Sequence, residues 1–375
     1  MFNESLYILA LATLVLVSSC SNNDDLKDSN IDFYVALTTS PVKVQNTTGV
    51  WFVYEMHVKA SSLSKVDIYN EDNLQLSYTD FRSRDDIHLA SIWIEYPEAG
   101  WHNQELTHKF QYKDATGLEK HYTFNLQVQE QYQDPITIAF PVPQGVWLAE
   151  GAPGSNSYHT RSLFPFAEPF FDEEQQGYLF GNNPQRYAID YAMLLDGLPY
   201  LNDGSNLEDW HCYNLPIIAA RGGKVIYTKD GIPDNQSPPE LDYSIDENNV
   251  TGNVVYIEHV DGTIGTYCHL VQNSVKVEIG DTVVTGQELG RLGNSGNSTA
   301  PHLHMHVLTN PENKQLTKYS DGLYLESLPY KFTQFTKLGV APIGYLDIKP
   351  IYPFIPTTPK VFNNVLPSES DVIEF

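Results

Sequence analysis

Gly293-Asn-Ser-Gly-Asn-Ser-Thr299, followed by Pro301-His302-Leu303-His304-Met305-His306, is the stretch from which the fold of this chain is read. Its second half alternates apolar residues with histidines, the period of a strand that buries one face. Successive side chains on a strand point to opposite faces, so His302 and His304 can reach one small volume together, and His306 faces the same side. The first half holds glycines and short polar residues. Such a loop adopts tight geometry with φ > 0 and delivers the strand edge-on to a cleft. A His-X-His pair alone is a weak signal of a metal site and more often marks ordinary strand histidines.

Upstream, Tyr267-Cys268-His269-Leu270 ends another apolar strand, after Asn253-Val-Val-Tyr-Ile257. Between these motifs and the histidine strand lie Val277-Glu-Ile-Gly280-Asp-Thr-Val283 and Gly286-Gln-Glu-Leu-Gly290. Over residues 145–310 this order of motifs resembles the lysostaphin/LytM zinc endopeptidases. The resemblance implies that His304 binds Zn2+ and that His302 and His269 assist catalysis. The family usually carries His-X-X-X-Asp. Here Asp190 is the Asp, but Arg186 stands four residues earlier, and a guanidinium has no lone pair for a metal. The loop Gly151-Ala-Pro-Gly-Ser-Asn-Ser-Tyr-His159 resembles that of a branch of the family in which such a loop precedes a Gln-Arg-Tyr-Ala-Ile-Asp segment. This implies His159, Asp190 and His304 as the ligand set. Three protein ligands leave one position of a tetrahedral zinc open to water, whose pKa then falls to ~7. No His-Glu-X-X-His segment exists in the chain, which excludes a thermolysin-type site. His306 stands where the family often has Glu, and reads either as a support behind a ligand or as a plain strand residue. His211 and Cys212 form a further adjacent pair without a role.

Outward from this core, residues 31–134 read as short strands. Tyr122-Thr-Phe124-Asn-Leu126-Gln-Val128 alternates strictly, and with Phe110-Gln-Tyr112 and the turn Asp114-Ala-Thr-Gly117 it predicts a hairpin. Val50-Trp-Phe-Val-Tyr-Glu-Met-His-Val58 and Ile92-Trp-Ile-Glu-Tyr96 are further strands. About a hundred residues of strands without a helical period predict an immunoglobulin-like sandwich. Its histidines, 57, 88, 102, 108 and 121, lack ligand spacing and read as core or surface residues. Pro135 and Pro141-Val-Pro143 mark a join. The expected class is therefore all-β: a sandwich over 31–134, a Gly-rich antiparallel metallopeptidase domain over 135–315, and an extension over 316–375 packed on it.

The start of the chain predicts export. Residues 6–17 are an apolar run too short to span a bilayer, ending in Val17-Ser18-Ser19-Cys20. This resembles the lipobox of bacterial lipoproteins and implies a signal peptide over 1–20, with Cys20 carrying the lipid, although Asn3 and Glu4 stand where such leaders have basic residues. An acidic tether over 21–30 follows. Of the three cysteines only Cys212 and Cys268 are then left, and they are expected to be unpaired.

Lys and Arg number 22 against 47 Asp and Glu, a formal charge of −25. Such a surface repels phosphate backbones and argues against a nucleic-acid partner. With the resemblance, the expectation is a zinc-dependent endopeptidase acting on peptidoglycan peptides from a lipid-anchored position in the cell envelope. Two other functions fit the same residues: a degenerate binding or regulatory module, and a zinc peptidase acting on proteins or Gly-rich peptides.

Overall fold

The computed structural model describes residues 33–37, 41–84, 86–101, 103–128, 134–162, 170–172, 177–179, 183–309, 325–347 and 353–375. Cys20 and the 21–30 tether lie outside these residues. The described chain is all-β, with two single-turn 3-10 segments at Leu207–Asp209 and Tyr345–Asp347. Among these residues no helix is long and apolar enough to cross a membrane.

Nine strands make the N-terminal sandwich. One sheet holds β1 (Phe33–Leu37), β2 (Val42–Asn46), β3 (Gly49–Ala60), β6 (Arg82–Arg84) and β7 (Ile87–Glu95), in the order β1-β3-β7-β6 with β2 also paired to β3. The other holds β4 (Ser62–Asn70), β5 (Asn73–Tyr78), β8 (Glu105–Lys113) and β9 (Glu119–Gln127), in the order β5-β4-β8-β9. The expected hairpin is β8–β9, joined through Asp114–Gly117 and registered with Phe110 opposite Tyr122. Alternation sends Phe52, Tyr54 and Met56 of β3 and Phe110 of β8 into one core between the sheets.

The remaining strands build one large sheet and two small ribbons. The ribbons are β12 (Phe170–Asp172) with β13 (Gly177–Leu179), and β15 (Pro216–Ile218) with β20 (Glu288–Arg291). The large sheet holds β10 (Ile136–Ile138), β11 (Val146–Glu150), β14 (Ile189–Met193), β16 (Gly223–Lys229), β17 (Asn253–Glu258), β18 (Ile264–Leu270), β19 (Thr282–Val283), β21 (Leu303–Leu308), β22 (Tyr330–Val340), β23 (Ile355–Val365) and β24 (Asp371–Glu374). Its order is β10-β22-β24-β11-β14-β21-β18-β17-β16-β19, with β23 also on β22. The final strands are thus members of this sheet, and β24 sits between β22 and β11. Leu303, Met305 and Val307 point into the main core together with Ile189, Tyr191 and Tyr267. That alternation turns His304 and His306 to the opposite face.

The sandwich and the large sheet are joined by apolar contact and by charge. Val44, Val53 and Trp93 of the sandwich belong to the same core cluster as Trp147 and Tyr191. Beside them the buried Arg186 guanidinium bonds Glu55 of β3 at 2.6 Å and Glu326 at 2.7 Å. Burial alone would raise the Glu55 carboxyl, but Arg186 and His57 outweigh it and hold it low. Burial wins at Glu326 and pushes that carboxyl up to about 7. Cys212 and Cys268 are buried free thiols.

Three of the sandwich histidines, His57, His88 and His108, have local partners, and His102 lies outside the described residues. His57 lies 3.0 Å from Glu55, and His88 bonds Ser83 and the Ala60 carbonyl. His108 spans the two sheets. Its Nδ1 donates to the Phe124 carbonyl at 3.2 Å, so Nε2 carries the lone pair and accepts the Tyr54 hydroxyl at 2.6 Å. Burial lowers its pKa from 6.5 to about 4. Between those values the unfolded chain takes up a proton that the folded chain refuses. Stability is therefore whole above pH ~6.5 and falls as pH drops toward 4, by on the order of 2–3 kcal/mol. Unfolding free energies in urea at pH 7 and pH 4.5 check this. His108→Gln should show a smaller acid loss than the unmutated chain by that amount, and an equal loss would refute the assignment.

Candidate metal centre

Strand register brings the first two groups together. In the β14–β21 ladder Asp190 stands directly opposite His304, and in the β18–β21 ladder Cys268 stands opposite His304. Opposite residues in an antiparallel pair have Cβ atoms about 4.5–5.5 Å apart. Asp190 Oδ1 accordingly accepts from His304 Nδ1 at 2.8 Å. His304 Nε2 then accepts from His306 Nδ1 at 3.0 Å.

His159 belongs to no strand. Its loop leaves β11 at Gly151, whose carbonyl accepts from His159 Nδ1 at 2.9 Å and from the Ser157 hydroxyl at 2.7 Å. Gly151 has φ +63°, and a Cβ there would lie 2.4 Å from His159 Nδ1, so only glycine permits this closure. With Nδ1 spent on a carbonyl, His159 Nε2 is the atom left for the site, and it lies 3.4 Å from Asp190 Oδ2. His159, Asp190 and His304, all buried, offer ligand atoms within 4.8 Å of one another. Two imidazole nitrogens and a carboxylate oxygen are a donor set for a borderline cation such as zinc.

His302 and His269 lie beside this group. His302 Nδ1 donates to the Ala300 carbonyl at 2.7 Å, which leaves Nε2 3.6 Å from Asp190 Oδ1. His269 sits just past Cys268 with φ +64°, a left-handed backbone that side chains rarely adopt. Its Nδ1 donates to the Ser295 carbonyl at 2.7 Å, and its ring centroid is 4.9 Å from that of His302. The loop 293–299 thus supplies the carbonyl that aims His269, while Ser295 Oγ accepts the Asn253 amide and donates to the Leu270 carbonyl to fix the loop.

Charge follows from burial. Burial alone would raise the Asp190 carboxyl, but His159, His302 and His304 outweigh it and hold it well below the usual carboxylate range. Burial would lower His159, but the Asp190 carboxylate outweighs it and raises it. His269 is pushed well down by burial and by the neighbouring His302 and His304 imidazoles, so it is a neutral imidazole with a free lone pair at Nε2. Burial and His304 likewise lower His306.

All five singled-out residues, His159, Asp190, His269, His302 and His304, meet in this one place. His211 stands outside the ligand group. Two participants carried no role in the sequence reading. Tyr158 donates its hydroxyl to Asp190 Oδ2 at 2.5 Å. Glu369 accepts the Gly151 amide at 3.0 Å from the far end of the chain. Adjacency to His159 was the only trace of Tyr158 in the sequence, and Glu369 left none. Arg186 points away from the site to its two glutamates.

Residues 208–316 match the model of peptidase family M23. The matched span holds His269, His302 and His304 and stops short of His159 and Asp190. The chain is 28% identical over 138 residues to the cell division protein DipM of Caulobacter vibrioides, covering 37% of this chain and 19% of that protein. It is 44% identical over 63 residues to the peptidoglycan DD-endopeptidase ShyC of Vibrio cholerae, covering 17% of this chain and 14% of that protein. The alignments therefore span only a small part of both curated relatives. Among solved structures it is similar to the catalytic domain of lysostaphin from Staphylococcus simulans, at 21% identity and a TM-score of 0.22, over 43% of this chain and 84% of that one.

Strain at His269 has a measurable cost. A non-glycine residue held in the left-handed region loses about 1–3 kcal/mol, which glycine does not pay. His269→Gly is expected to unfold at an equal or higher denaturant concentration than the unmutated chain, although it removes a buried ring. A clear fall in the midpoint would mean that the ring's packing outweighs the strain.

Proposed function

We propose that this chain, with its M23-matched segment, is a zinc-dependent endopeptidase that hydrolyses amide bonds in peptidoglycan peptides. One observation carries the reading: three buried ligand-type side chains converge beside two further imidazoles whose tautomers are fixed by backbone carbonyls. His159 Nε2, an Asp190 oxygen and His304 Nδ1 would hold the metal. The donor set fits zinc, and each imidazole has a partner for its remote nitrogen: His159 Nδ1 donates to Gly151, and with Nδ1 on the metal His304 would carry its proton on Nε2 and donate it to His306 Nδ1. Zinc bound there supplies a Lewis acid that polarises a scissile carbonyl and lowers the pKa of water to ~7.

The remaining chemistry belongs to the chain's own groups. His269, with its Nδ1 proton on the Ser295 carbonyl and Nε2 turned free beside His302 and His304, is placed to take a proton from the attacking water. His302 presents Nε2 on the Asp190 side of the cluster, where it can return a proton to the departing amine or steady the oxyanion. Tyr158 holds the second Asp190 oxygen and fixes the carboxylate's orientation. The substrate assignment is supported by the resemblance to cell-wall peptidases and by the likeness to ShyC, a peptidoglycan endopeptidase by name. A lipid on Cys20, and with it a place in the cell envelope, is part of the same reading. Its support is the apolar run over 6–17 and the small residues before that cysteine.

The test separates binding from turnover. Purified protein should contain about one zinc per chain and release fragments from purified peptidoglycan, identified by mass. His159→Ala and His304→Ala should both lose the metal. His302→Ala should keep zinc and fold while turnover drops about 10²–10⁴-fold. Zinc lost from His302→Ala would overturn the division of roles. A zinc-loaded unmutated chain without hydrolytic activity would favour a binding module instead.

A further inference from the structure

Asp190, His302, His304 and His269 are placed on or at the ends of three adjacent strands in the middle of the large sheet. Asp190 and His304 are placed by ladder pairing, and His302 and His269 stand directly beside ladder residues, held by the Ala300 and Ser295 carbonyls. His159 has no ladder, and its loop, residues 151–162, must be held by other means. Three of its contacts reach into the N-terminal sandwich. Asn46 of β2 donates its amide to the Pro153 carbonyl at 3.0 Å. Ser91 of β7 donates to the Thr160 carbonyl at 3.2 Å, one residue past His159. Arg161 pairs with the Asp80 carboxylate at 2.7 Å and donates to its carbonyl at 3.0 Å. A fourth contact, Glu369 to the Gly151 amide, comes from the turn before β24. Behind the loop, Thr160 Oγ1 bonds the carbonyl of Arg186, the residue anchored on Glu55 of the sandwich.

We propose that the N-terminal sandwich is a positioning part of the metal centre, holding the His159 loop through Asn46, Ser91 and Asp80 so that the first ligand is in place before metal arrives. This deepens the zinc reading above and rests on it. Each contact lands on a backbone carbonyl or charged group within six residues of His159, at both ends of the loop. A loop ordered in advance binds more tightly because its conformational entropy is already lost when the ligand comes. The sandwich is then not an independent adaptor, and metal affinity should depend on side chains that never touch the metal.

The experiment uses the full chain. Zinc affinity is read by competition with a chromogenic chelator, beside the unfolding temperature of the metal-free protein. The triple variant Asn46→Ala/Asp80→Ala/Ser91→Ala should bind zinc about 10–100-fold more weakly, the usual effect of removing groups that orient ligands. Its metal-free unfolding temperature should fall only modestly: Asn46 Oδ1 also accepts from Thr48, Gly49 and Trp51 in the β2–β3 turn, while the strand ladders stay intact. Ser77→Ala, which removes a bond to Asp67 on the sheet of the sandwich that carries β4 and β5, should leave zinc affinity unchanged. Retained zinc affinity in the triple variant, with or without a lower unfolding temperature, overturns the proposal: the contacts are then structural only. An unmutated chain that binds no zinc overturns the zinc reading itself, which the first measurement distinguishes.

Discussion

A carboxylate buried among imidazoles is the constraint to which the rest of this structure conforms. Asp190 is 7% exposed, far too little for water to carry its charge. An isolated ionised carboxylate in such a place would cost several kcal/mol or take up a proton. Here His159, His302 and His304 surround it, and Tyr158 donates to it as well. The strand pairing that opposes Asp190 to His304 and the glycine that lets His159 close on its own loop both serve to bring donors to that carboxylate. A cation is the natural complement to a set in which one acid and several nitrogen lone pairs converge with their outer atoms already bonded.

What the sequence revealed and what it concealed divide along a physical line. The alternation Leu303-His304-Met305-His306 is local, so period-two reasoning gave the strand and the face of each residue. The glycine loop before it and the β8–β9 hairpin were readable for the same reason, since turn chemistry is written in adjacent residues. The place of residues 330–375 was not readable in this way. Their strands look like any others, and only long-range pairing makes β24 a neighbour of β11. The role of Arg186 was hidden likewise, because its partners Glu55 and Glu326 lie 131 and 140 residues away. Tyr158 was visible as a residue and invisible as a donor, because its acceptor is 32 positions further on.

Arg186 also shows how a charged group can join two cores. A buried arginine between two glutamates is seldom a source of net stability, since desolvation offsets most of the attraction. It does fix geometry, because either glutamate left alone would be a buried, unmatched charge. The same residue thus ties β3 of the sandwich to the segment leading into Asp190 and denies the two units an independent orientation.

The position of β24 bears on how this molecule comes together in time. Val146 of β11 pairs with Glu374, and the Gly151 amide, five residues on, is held by Glu369. Partners separated by more than two hundred residues meet only after a long loop has closed, and topologies dominated by such pairings fold slowly. During synthesis on the ribosome, β11 and the His159 loop emerge long before the strand that flanks them, and until then one side of β11 is an open edge. The His159 loop is therefore among the last parts to be set, and a nascent chain holds it unfinished until β24 has been made.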